Sequence, residues 1–197
     1  MSISCHAFLC YNFDMMRLHV LYDYKGIYPE LSGKALTDAL IRRCLGREDA
    51  VIYRTEQGKP YVRISGEEDC AGLYISVSHS GSAFAMLEAD KEAGLDIQYK
   101  RNIHVDRIAE RFFTQEEKEY ITAGDTTERF FQLWTRKEAY SKYTGAGIEQ
   151  VVKKETILGR SDVRFNDFQL EDGCFCSVCI GAKEGDQEDE IQISYGK

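Results

Sequence analysis

Residues 129–145, Arg-Phe-Phe-Gln-Leu-Trp-Thr-Arg-Lys-Glu-Ala-Tyr-Ser-Lys-Tyr-Thr-Gly, are the part of the chain that most constrains its fold. The stretch predicts the C-terminal two-thirds of one long amphipathic helix. Asp125 is suited to be its N-cap, with Glu128 three residues later as in a capping box. Gly145 supplies the left-handed residue with which helices commonly end. The rest of the chain must pack around this helix.

The helix carries a carboxylate and an ammonium group one turn apart, beside the only tryptophan of the chain. Trp134, Glu138 and Lys142 are spaced by four residues and therefore share one helix face. Such a charge pair is commonly a solvent-exposed salt bridge that contributes about 0.3 kcal/mol. A tryptophan, however, normally faces the core or a cleft wall, and partly desolvated charges beside it are often ligands or catalytic groups. Both interpretations are open at this point.

The composition is that of a globular protein. The 197 residues suit one domain, or two small lobes that share a core, and 43% are hydrophobic and 29% charged. The net charge of −8 argues against a nucleic-acid-binding protein, which normally has a dominant basic face. There is no run of 18 apolar residues and no basic N-terminal signal region. We therefore expect a cytoplasmic protein that does not interact with membranes.

The seven cysteines do not form a disulfide framework, because their number is odd and their spacing irregular. A reducing compartment is the simplest explanation. Cys174, Cys176 and Cys179 also suggest a zinc site. On a strand, however, the first two point to one face and the third to the other, so the three thiols cannot converge on a metal. We expect them to be small buried hydrophobic residues.

The hydrophobic pattern predicts an α+β fold in which strands and helices form two groups. Strands are predicted at 3–11, 18–22, 51–54, 73–78, 83–88, 95–98, 163–170, 173–180 and 190–195, and helices at 32–45 and 104–113. Another helix is predicted to begin with Thr114 as its N-cap and Glu117 as the partner in a capping box, and the long helix follows it. We expect the last three strands to form one antiparallel sheet. The arrangement is that of two lobes, each a helix packed on a small antiparallel sheet.

Two strand ends carry polar side chains that could bind a ligand. The hairpin 73–88 places Ser78 and His79 at its mouth, although a single histidine in a turn is usually only exposed. The strand 95–98 places Asp96 and Gln98 on one face. Their oxygens could bind Mg²⁺, which takes one or two carboxylates together with substrate phosphate oxygens. The alternative is an edge strand with a solvent-exposed polar face.

Four motifs follow one another in a fixed order, and a further segment, Arg111-Phe112-Phe113, precedes the last of them. They are Gly58-Lys59-Pro60, Ser78-His79-Ser80, Gly94-Leu95-Asp96-Ile97-Gln98 and Trp134-Thr-Arg-Lys137-Glu138-Ala-Tyr-Ser-Lys142. With this set, residues 33–150 of the chain resemble the Sfp-type 4′-phosphopantetheinyl transferase family. The resemblance implies a pseudo-twofold monomer of two similar lobes, residues 1–92 and 93–197, with coenzyme A bound between them.

The resemblance also implies an activity, that of a holo-[acyl-carrier-protein] synthase type 4′-phosphopantetheinyl transferase. Such an enzyme transfers the phosphopantetheine group of coenzyme A to a serine of an acyl or peptidyl carrier protein, releases 3′,5′-ADP and requires Mg²⁺. The typical carrier is acidic, and Arg107 and Arg111, with Lys100 and Arg101, offer a local basic surface for it. The alternative is a non-catalytic coenzyme A-binding or carrier-binding protein of the same fold.

The roles implied for individual residues fall into three groups. The catalytic residues would be Glu138, Lys142 and Glu117; the coenzyme A-binding residues Lys34, Gly58, Lys59, Pro60, Ser78, His79 and Lys142; and the Mg²⁺ ligands Asp96, Gln98 and Glu138. Many family members have glutamate where this chain has Gln98, whose amide oxygen can ligate Mg²⁺ but carries no charge. Lys34 is chosen among the N-terminal basic residues because it lies at a helix start, where phosphates are favoured.

Overall fold

The computed structural model describes residues 16–64, 73–151, 155–182 and 190–196, so the strand expected at 3–11 lies outside the described residues. The fold is mixed α+β, as predicted. Its elements are β1 (Met16–Leu21), α1 (Gly33–Leu45), β2 (Ala50–Arg54), β3 (Pro60–Ile64), β4 (Tyr74–Ser80), β5 (Ala83–Ala89), β6 (Ala93–Gln98), α2 (Val105–Phe112), α3 (Gln115–Thr122), α4 (Thr126–Thr144), α5 (Ile148–Val151), β7 (Val163–Gln169), β8 (Phe175–Gly181) and β9 (Ile191–Gly196).

The ends of α3 and α4 have the N-cap residues that their sequences predict. Thr114 and Glu117 make a capping box at the start of α3, in which Glu117 N donates to Thr114 Oγ1 and Thr114 N donates to Glu117 Oε2. At the start of α4, Asp125 Oδ1 accepts a hydrogen bond from Glu128 N at 2.9 Å, so Asp125 is the N-cap, but the expected reciprocal bond from the Glu128 side chain is not formed. Gly145 ends α4 with a φ of 69°, a conformation that glycine adopts without steric cost.

The strands form three sheets, with strand orders β4-β5-β1-β9, β2-β3 and β6-β8-β7. The antiparallel pairing of β7 with β8 is confirmed. The expected place of the last strand beside them is wrong, because β9 pairs in parallel with β1 in the four-stranded sheet. Ile191 and Ile193 of β9 pack against the core cluster of that sheet. The C-terminal strand thus completes a sheet otherwise built from the N-terminal half.

The layers stack around two main apolar contacts. Helix α1 packs on one face of the four-stranded sheet through residues such as Leu40 and Ile41, which join the same core cluster as Phe84 and Met86 of β5. The other face of this sheet packs on the three-stranded sheet, where Leu95 of β6 belongs to the shared cluster. Because side chains alternate along a strand, Gly94 and Asp96 of β6 face away from this layer and toward α4.

The cysteines of β8 and its approach behave as the strand pattern predicts. Cys174 and Cys176 belong to the cluster between the two sheets, whereas Cys179 packs with Ala139 on the side of α4. All three are buried free thiols. Within the described ranges, no group of three or more His, Cys, Asp and Glu side chains could hold a metal ion. The helices in the same ranges are too short or too polar to cross a membrane.

Serine side chains join the two larger sheets where β4 runs beside β6. Three serines at alternate positions of β4 accept hydrogen bonds from backbone N–H groups of β6 and the residue after it: Ser76 from Leu95 at 2.9 Å, Ser78 from Ile97 at 3.3 Å and Ser80 from Tyr99 at 3.1 Å. These N–H groups therefore have side-chain acceptors in place of a neighbouring strand. The bonds hold β6 in one register against β4.

The closest contact between β6 and α4 occurs at Gly94. A Cβ atom at this position would lie 1.9 Å from the carbonyl oxygen of Ala139 and 2.5 Å from the backbone nitrogen of Tyr143. Both obstacles are backbone atoms of α4, so no side-chain rotation can make room. Only glycine at this position allows the helix to lie directly on the strand.

We expect Gly94→Ala to lower the free energy of unfolding by about 3 kcal/mol, because the added methyl group must push α4 away from β6. Gly26→Ala is the matched control, since a Cβ atom at Gly26 would have no neighbouring atom within 4 Å and the backbone there is not left-handed. Urea unfolding of both variants measures the difference. Equal stabilities of the two variants would show that the contact at Gly94 does not constrain the helix.

Candidate active site

A cavity of about 440 Å³ opens between α4, β6 and the tip of the β2–β3 hairpin. Residues from both halves of the chain line it: Lys34, Thr37, Arg54, Gly58, Pro60, Val77, Ser78, His79, Phe84, Asp96, Ile97, Gln98, Trp134, Glu138 and Lys142. The predicted common face of Trp134, Glu138 and Lys142 is therefore confirmed, and it faces this cavity. The set combines the carboxylates of Asp96 and Glu138 on β6 and α4, which we call the acidic end, with the basic side chains of Lys34, Arg54 and His79 on α1, β2 and β4, which we call the basic end.

Asp96 is the most firmly held side chain at the acidic end. It is only 6% exposed. Its Oδ1 atom accepts hydrogen bonds from Ser78 Oγ at 2.7 Å and from Lys142 Nζ at 2.8 Å. Ser78 thus contacts Asp96 directly, in addition to the backbone of β6. One carboxylate oxygen is shared by two donors from two different elements, which fixes the orientation of the carboxyl group.

Glu138 faces the same cavity without a hydrogen bond or ion pair to any residue that the structure describes. Burial, and to a smaller extent the nearby negative charge of Asp96, raise the pKa of Glu138 to about 7 against the opposing effect of Lys142. The carboxyl group therefore changes its charge close to neutral pH. A group with this property can exchange protons with a substrate at that pH.

The acidic end fits Mg²⁺. Asp96 and Glu138 come from different elements and face one cavity, and their mutual repulsion is the kind of charge excess that a divalent cation relieves. Gln98 lies beside them. Its amide nitrogen donates to Ser80 Oγ at 3.3 Å and to the carbonyl of Tyr99 at 3.4 Å, which leaves its amide oxygen as the possible ligand. Two carboxylates suffice when water and substrate oxygens complete the shell.

The basic end contains Lys34, His79 and a residue that the sequence did not single out, Arg54. The Arg54 side chain is 17% exposed, and its Nη2 atom donates to Asp38 Oδ1 at 2.5 Å. Its Nη1 atom is buried without a partner among the described residues. A guanidinium group held in this way can bind a phosphate. The feature of the sequence that could have identified Arg54 is its position directly before the turn that carries Gly58.

Trp134 fixes α4 beside the cavity. Its ring stacks on Phe130, with 6.0 Å between centroids, and meets the ring of Phe112 edge-on at 5.5 Å. Phe113 lies 6.2 Å away. These contacts tie α4 to α2 and to the segment that follows it. Trp134 is therefore both a core residue of the helical layer and part of the cavity wall.

Two residues expected at the site lie elsewhere. Lys59 points into a second cavity of about 550 Å³, away from Gly58 and Pro60, which line the first. Glu117 is completely buried beneath α4, where it accepts hydrogen bonds from the backbone of Thr114 and Ile157 and lies 2.7 Å from Lys137 Nζ. The structure thus corrects the expected positions of both residues, because each side chain is held by partners outside the main cavity.

Comparison with known proteins identifies the family. Residues 92–189 match the model of the 4′-phosphopantetheinyl transferase superfamily. The 4′-phosphopantetheinyl transferase psf-1 of Bacillus pumilus is 35% identical over 61% of this chain and 53% of its own length. The 4′-phosphopantetheinyl transferase gsp of Aneurinibacillus migulanus is 30% identical over 79% of this chain and 69% of its own length.

A third relative extends the match over most of the chain. The 4′-phosphopantetheinyl transferase Sfp of Bacillus subtilis (strain 168) is 30% identical over 88% of this chain and 83% of its own length. The chain thus spans about half of the length of psf-1 and larger shares of the other two relatives. The family model includes both β6 and α4, which carry the acidic end of the cavity. The chain belongs to the 4′-phosphopantetheinyl transferase superfamily.

Proposed function

We propose that the protein transfers the 4′-phosphopantetheine group of coenzyme A to a serine of an acyl or peptidyl carrier protein and releases 3′,5′-ADP. The observation that carries this proposal is the charge distribution of the main cavity. Asp96, Glu138 and Lys142 line it from β6 and α4, and the basic side chains of Lys34, Arg54 and His79 line it from α1, β2 and β4. A ligand that carries a pyrophosphate and a separate phosphate matches these two groups of side chains. Coenzyme A is such a ligand.

Coenzyme A would lie along the cavity with its pyrophosphate at the acidic end. Asp96 and Glu138, with the amide oxygen of Gln98, would hold Mg²⁺ there, and the Lys142 ammonium would contact the pyrophosphate. The bound cation would neutralise charge that develops on the phosphate oxygens as the bond breaks. The 3′-phosphate would meet His79, Lys34 and Arg54, with their positive or hydrogen-bonding groups. Gly58 and Pro60, which also line the cavity, would border the adenine.

The transfer needs two groups from the protein: a base that takes the serine proton and a positive charge that stabilises the leaving group. The hydroxyl oxygen of the carrier serine attacks the β-phosphorus, and the bond from this phosphorus to the bridging oxygen breaks, so that 3′,5′-ADP leaves. The serine proton moves to the carboxylate of Glu138 or to a water molecule that Glu138 holds. Lys142 stabilises the charge on the leaving oxygen. Positioning and charge neutralisation supply most of the rate in such transfers.

The carrier would dock near α2. The side chains of Lys100, Arg101, Arg107 and Arg111 are exposed there, on a chain whose net charge is −8. Lys100 is 3.8 Å from Glu128, a distance at which the surface ion pair is weak and exchangeable. An acidic carrier would be attracted to this surface. The choice between acyl and peptidyl carriers defines whether the enzyme is of the holo-[acyl-carrier-protein] synthase type.

The lobe arrangement implied by the resemblance is also part of this proposal. Each of the two larger sheets is covered by one helix, α1 on the first and α4 on the second, which supports a pseudo-twofold relation between residues 1–92 and 93–197. The strand β9 comes from the second half of the chain but belongs to the first sheet. We propose that this unit acts as a monomer in the cytoplasm.

Intact-mass spectrometry of an apo carrier protein tests the function. We expect the carrier to gain one phosphopantetheine group when it is incubated with the protein, coenzyme A and Mg²⁺. Glu138→Gln should reduce the transfer rate by about 1000-fold or more, because the base and a cation ligand are lost together. Coenzyme A binding without a mass gain on any of a panel of acyl and peptidyl carriers would contradict the enzyme assignment and support a non-catalytic binding protein.

The same variant must be shown to be folded. The pKa of Glu138 is raised in the folded protein, so the ionised carboxyl group opposes folding, and stability is lost as the pH rises from about 4.5 through about 7. Glu138→Gln removes this loss. In Mg²⁺-free buffer it should therefore be more stable than the wild type at pH 8, by roughly 1–3 kcal/mol, and similar to it near pH 4.5. A variant that is less stable at pH 8 would contradict the assigned environment.

We assign Glu117 a structural role in place of the catalytic one. Both Glu117 and Lys137 are 0% exposed, and their charged atoms are 2.7 Å apart. Glu117 also caps α3 and accepts from Ile157 N at 3.0 Å. Its carboxylate thus joins α3, α4 and the segment before β7 inside the core. Lys137, which precedes Glu138, faces this core while Glu138 faces the cavity, so the pair helps to set the rotation of α4.

We expect Lys137→Met to lower the free energy of unfolding by about 3–5 kcal/mol, because it leaves a buried carboxylate without its counter-charge. The double variant Lys137→Met/Glu117→Gln should lose less than the sum of the two single variants. Urea unfolding of the wild type, the two single variants and the double variant gives the coupling energy. Additive losses would show that the two side chains do not act as a pair.

A further inference from the structure

The turn between β2 and β3 carries Lys59, whose side chain is only 10% exposed. Its backbone is fixed by Thr55, since Lys59 N donates to Thr55 Oγ1 at 3.1 Å and Thr55 N donates to the Lys59 carbonyl at 3.0 Å. The ammonium group forms an ion pair with Glu92 Oε2 and donates to the carbonyl of Tyr143 at 3.3 Å. A short, rigid turn thus holds one buried ammonium group in contact with residues of other elements.

The partners of this ammonium group belong to the elements that carry the acidic end of the cavity. Tyr143 is the next-to-last residue of α4, and the last four carbonyls of a helix have no partner within the helix. A cation is favoured at this end by the helix dipole. Glu92 immediately precedes β6. A Cβ atom at Gly145 would lie 4.0 Å from Lys59 Cδ, so the lysine stem also packs on the helix end.

The neighbours of Lys59 in sequence face the opposite way. Gly58 and Pro60 line the main cavity, as do Glu138 and Lys142 of α4. The Lys59 side chain instead lies with Tyr61 and Tyr143 in the second cavity. Because the hairpin and α4 both line the main cavity, the contacts of Lys59 connect two of the elements that enclose it.

We propose that Lys59 is a positioning residue that docks the β2–β3 hairpin on the C-terminal end of α4 and so sets the width of the coenzyme A cavity. It acts through Glu92 and the Tyr143 carbonyl and does not touch coenzyme A. This inference rests on the proposed function for the identity of the ligand. Without the contacts of Lys59, the hairpin must become ordered when the ligand binds. The free-energy cost of this ordering weakens binding and does not slow the bond-making step.

Three variants test the proposal: Lys59→Met, Glu92→Gln and their combination. Titration calorimetry with coenzyme A and Mg²⁺ should show binding weakened roughly 10-fold in Lys59→Met. Glu92→Gln should weaken it in the same direction, and the double variant should bind about as well as Lys59→Met. The kcat at saturating coenzyme A should stay within about 3-fold of the wild-type value while the KM for coenzyme A rises, because Lys59 acts on binding alone.

A direct contact between Lys59 and coenzyme A would give a different pattern. Glu92→Gln would then free the ammonium group for the ligand, and binding would be unchanged or tighter. Either result overturns the proposal, as would a fall of kcat with an unchanged KM. Lys118→Met is the matched control, since Lys118 forms a more exposed ion pair with Glu110 at 2.8 Å between α3 and α2. This control should bind coenzyme A as the wild type does.

Hydrogen exchange of the ligand-free protein provides a readout that does not depend on the proposed function. Backbone amides of residues 55–61 should exchange faster in Lys59→Met and in Glu92→Gln than in the wild type, whereas those of α1 should not change. Unchanged exchange at the hairpin overturns the positioning role. A wild-type protein that does not bind coenzyme A contradicts the proposed function, and the exchange experiment still decides whether Lys59 holds the hairpin.

Discussion

The close approach of α4 to β6 at Gly94 is the contact on which the rest of the structure depends. The strand supplies Asp96 and Gln98, and the helix supplies Glu138 and Lys142. These side chains can share one cavity only because the carbonyl of Ala139 occupies the space where a Cβ atom would stand. The absence of one side chain thus determines the separation between the two elements, and with it the distance of 2.8 Å between Lys142 and Asp96.

Placing two carboxyl groups at that junction has an electrostatic cost, which the surrounding polar groups reduce unequally. Asp96 receives two donors, one from β4 and one from α4, whereas Glu138 receives none among the described residues. The pKa of Glu138 is raised, first by its burial and then by the nearby charge of Asp96. If both carboxyl groups accepted hydrogen bonds, the protein would be more stable, but the pair would bind a cation or accept a proton less readily. The stability lost here is consistent with a site that is completed by its ligands.

The positions that the sequence predicted correctly are those that follow from local periodicity. Helical spacing places Trp134, Glu138 and Lys142 on one face, and strand alternation places Asp96 beside Gln98. The failures all depend on tertiary contacts. Lys59 and Glu117 carry the right chemistry but point to other partners, β9 pairs with β1, which lies 175 residues earlier in the chain, and Arg54 reaches the cavity from a strand. None of these choices is encoded in spacing along the chain.

The central claim is that the acidic end holds a divalent cation and the pyrophosphate, while the basic end holds the 3′-phosphate. Phosphorus NMR of coenzyme A bound to the protein, with Mn²⁺ in place of Mg²⁺, tests this orientation directly, because the paramagnetic ion broadens nearby resonances most. We expect strong broadening of both pyrophosphate resonances and weaker broadening of the 3′-phosphate resonance. Equal broadening of all resonances, or stronger broadening of the 3′-phosphate, would contradict this orientation.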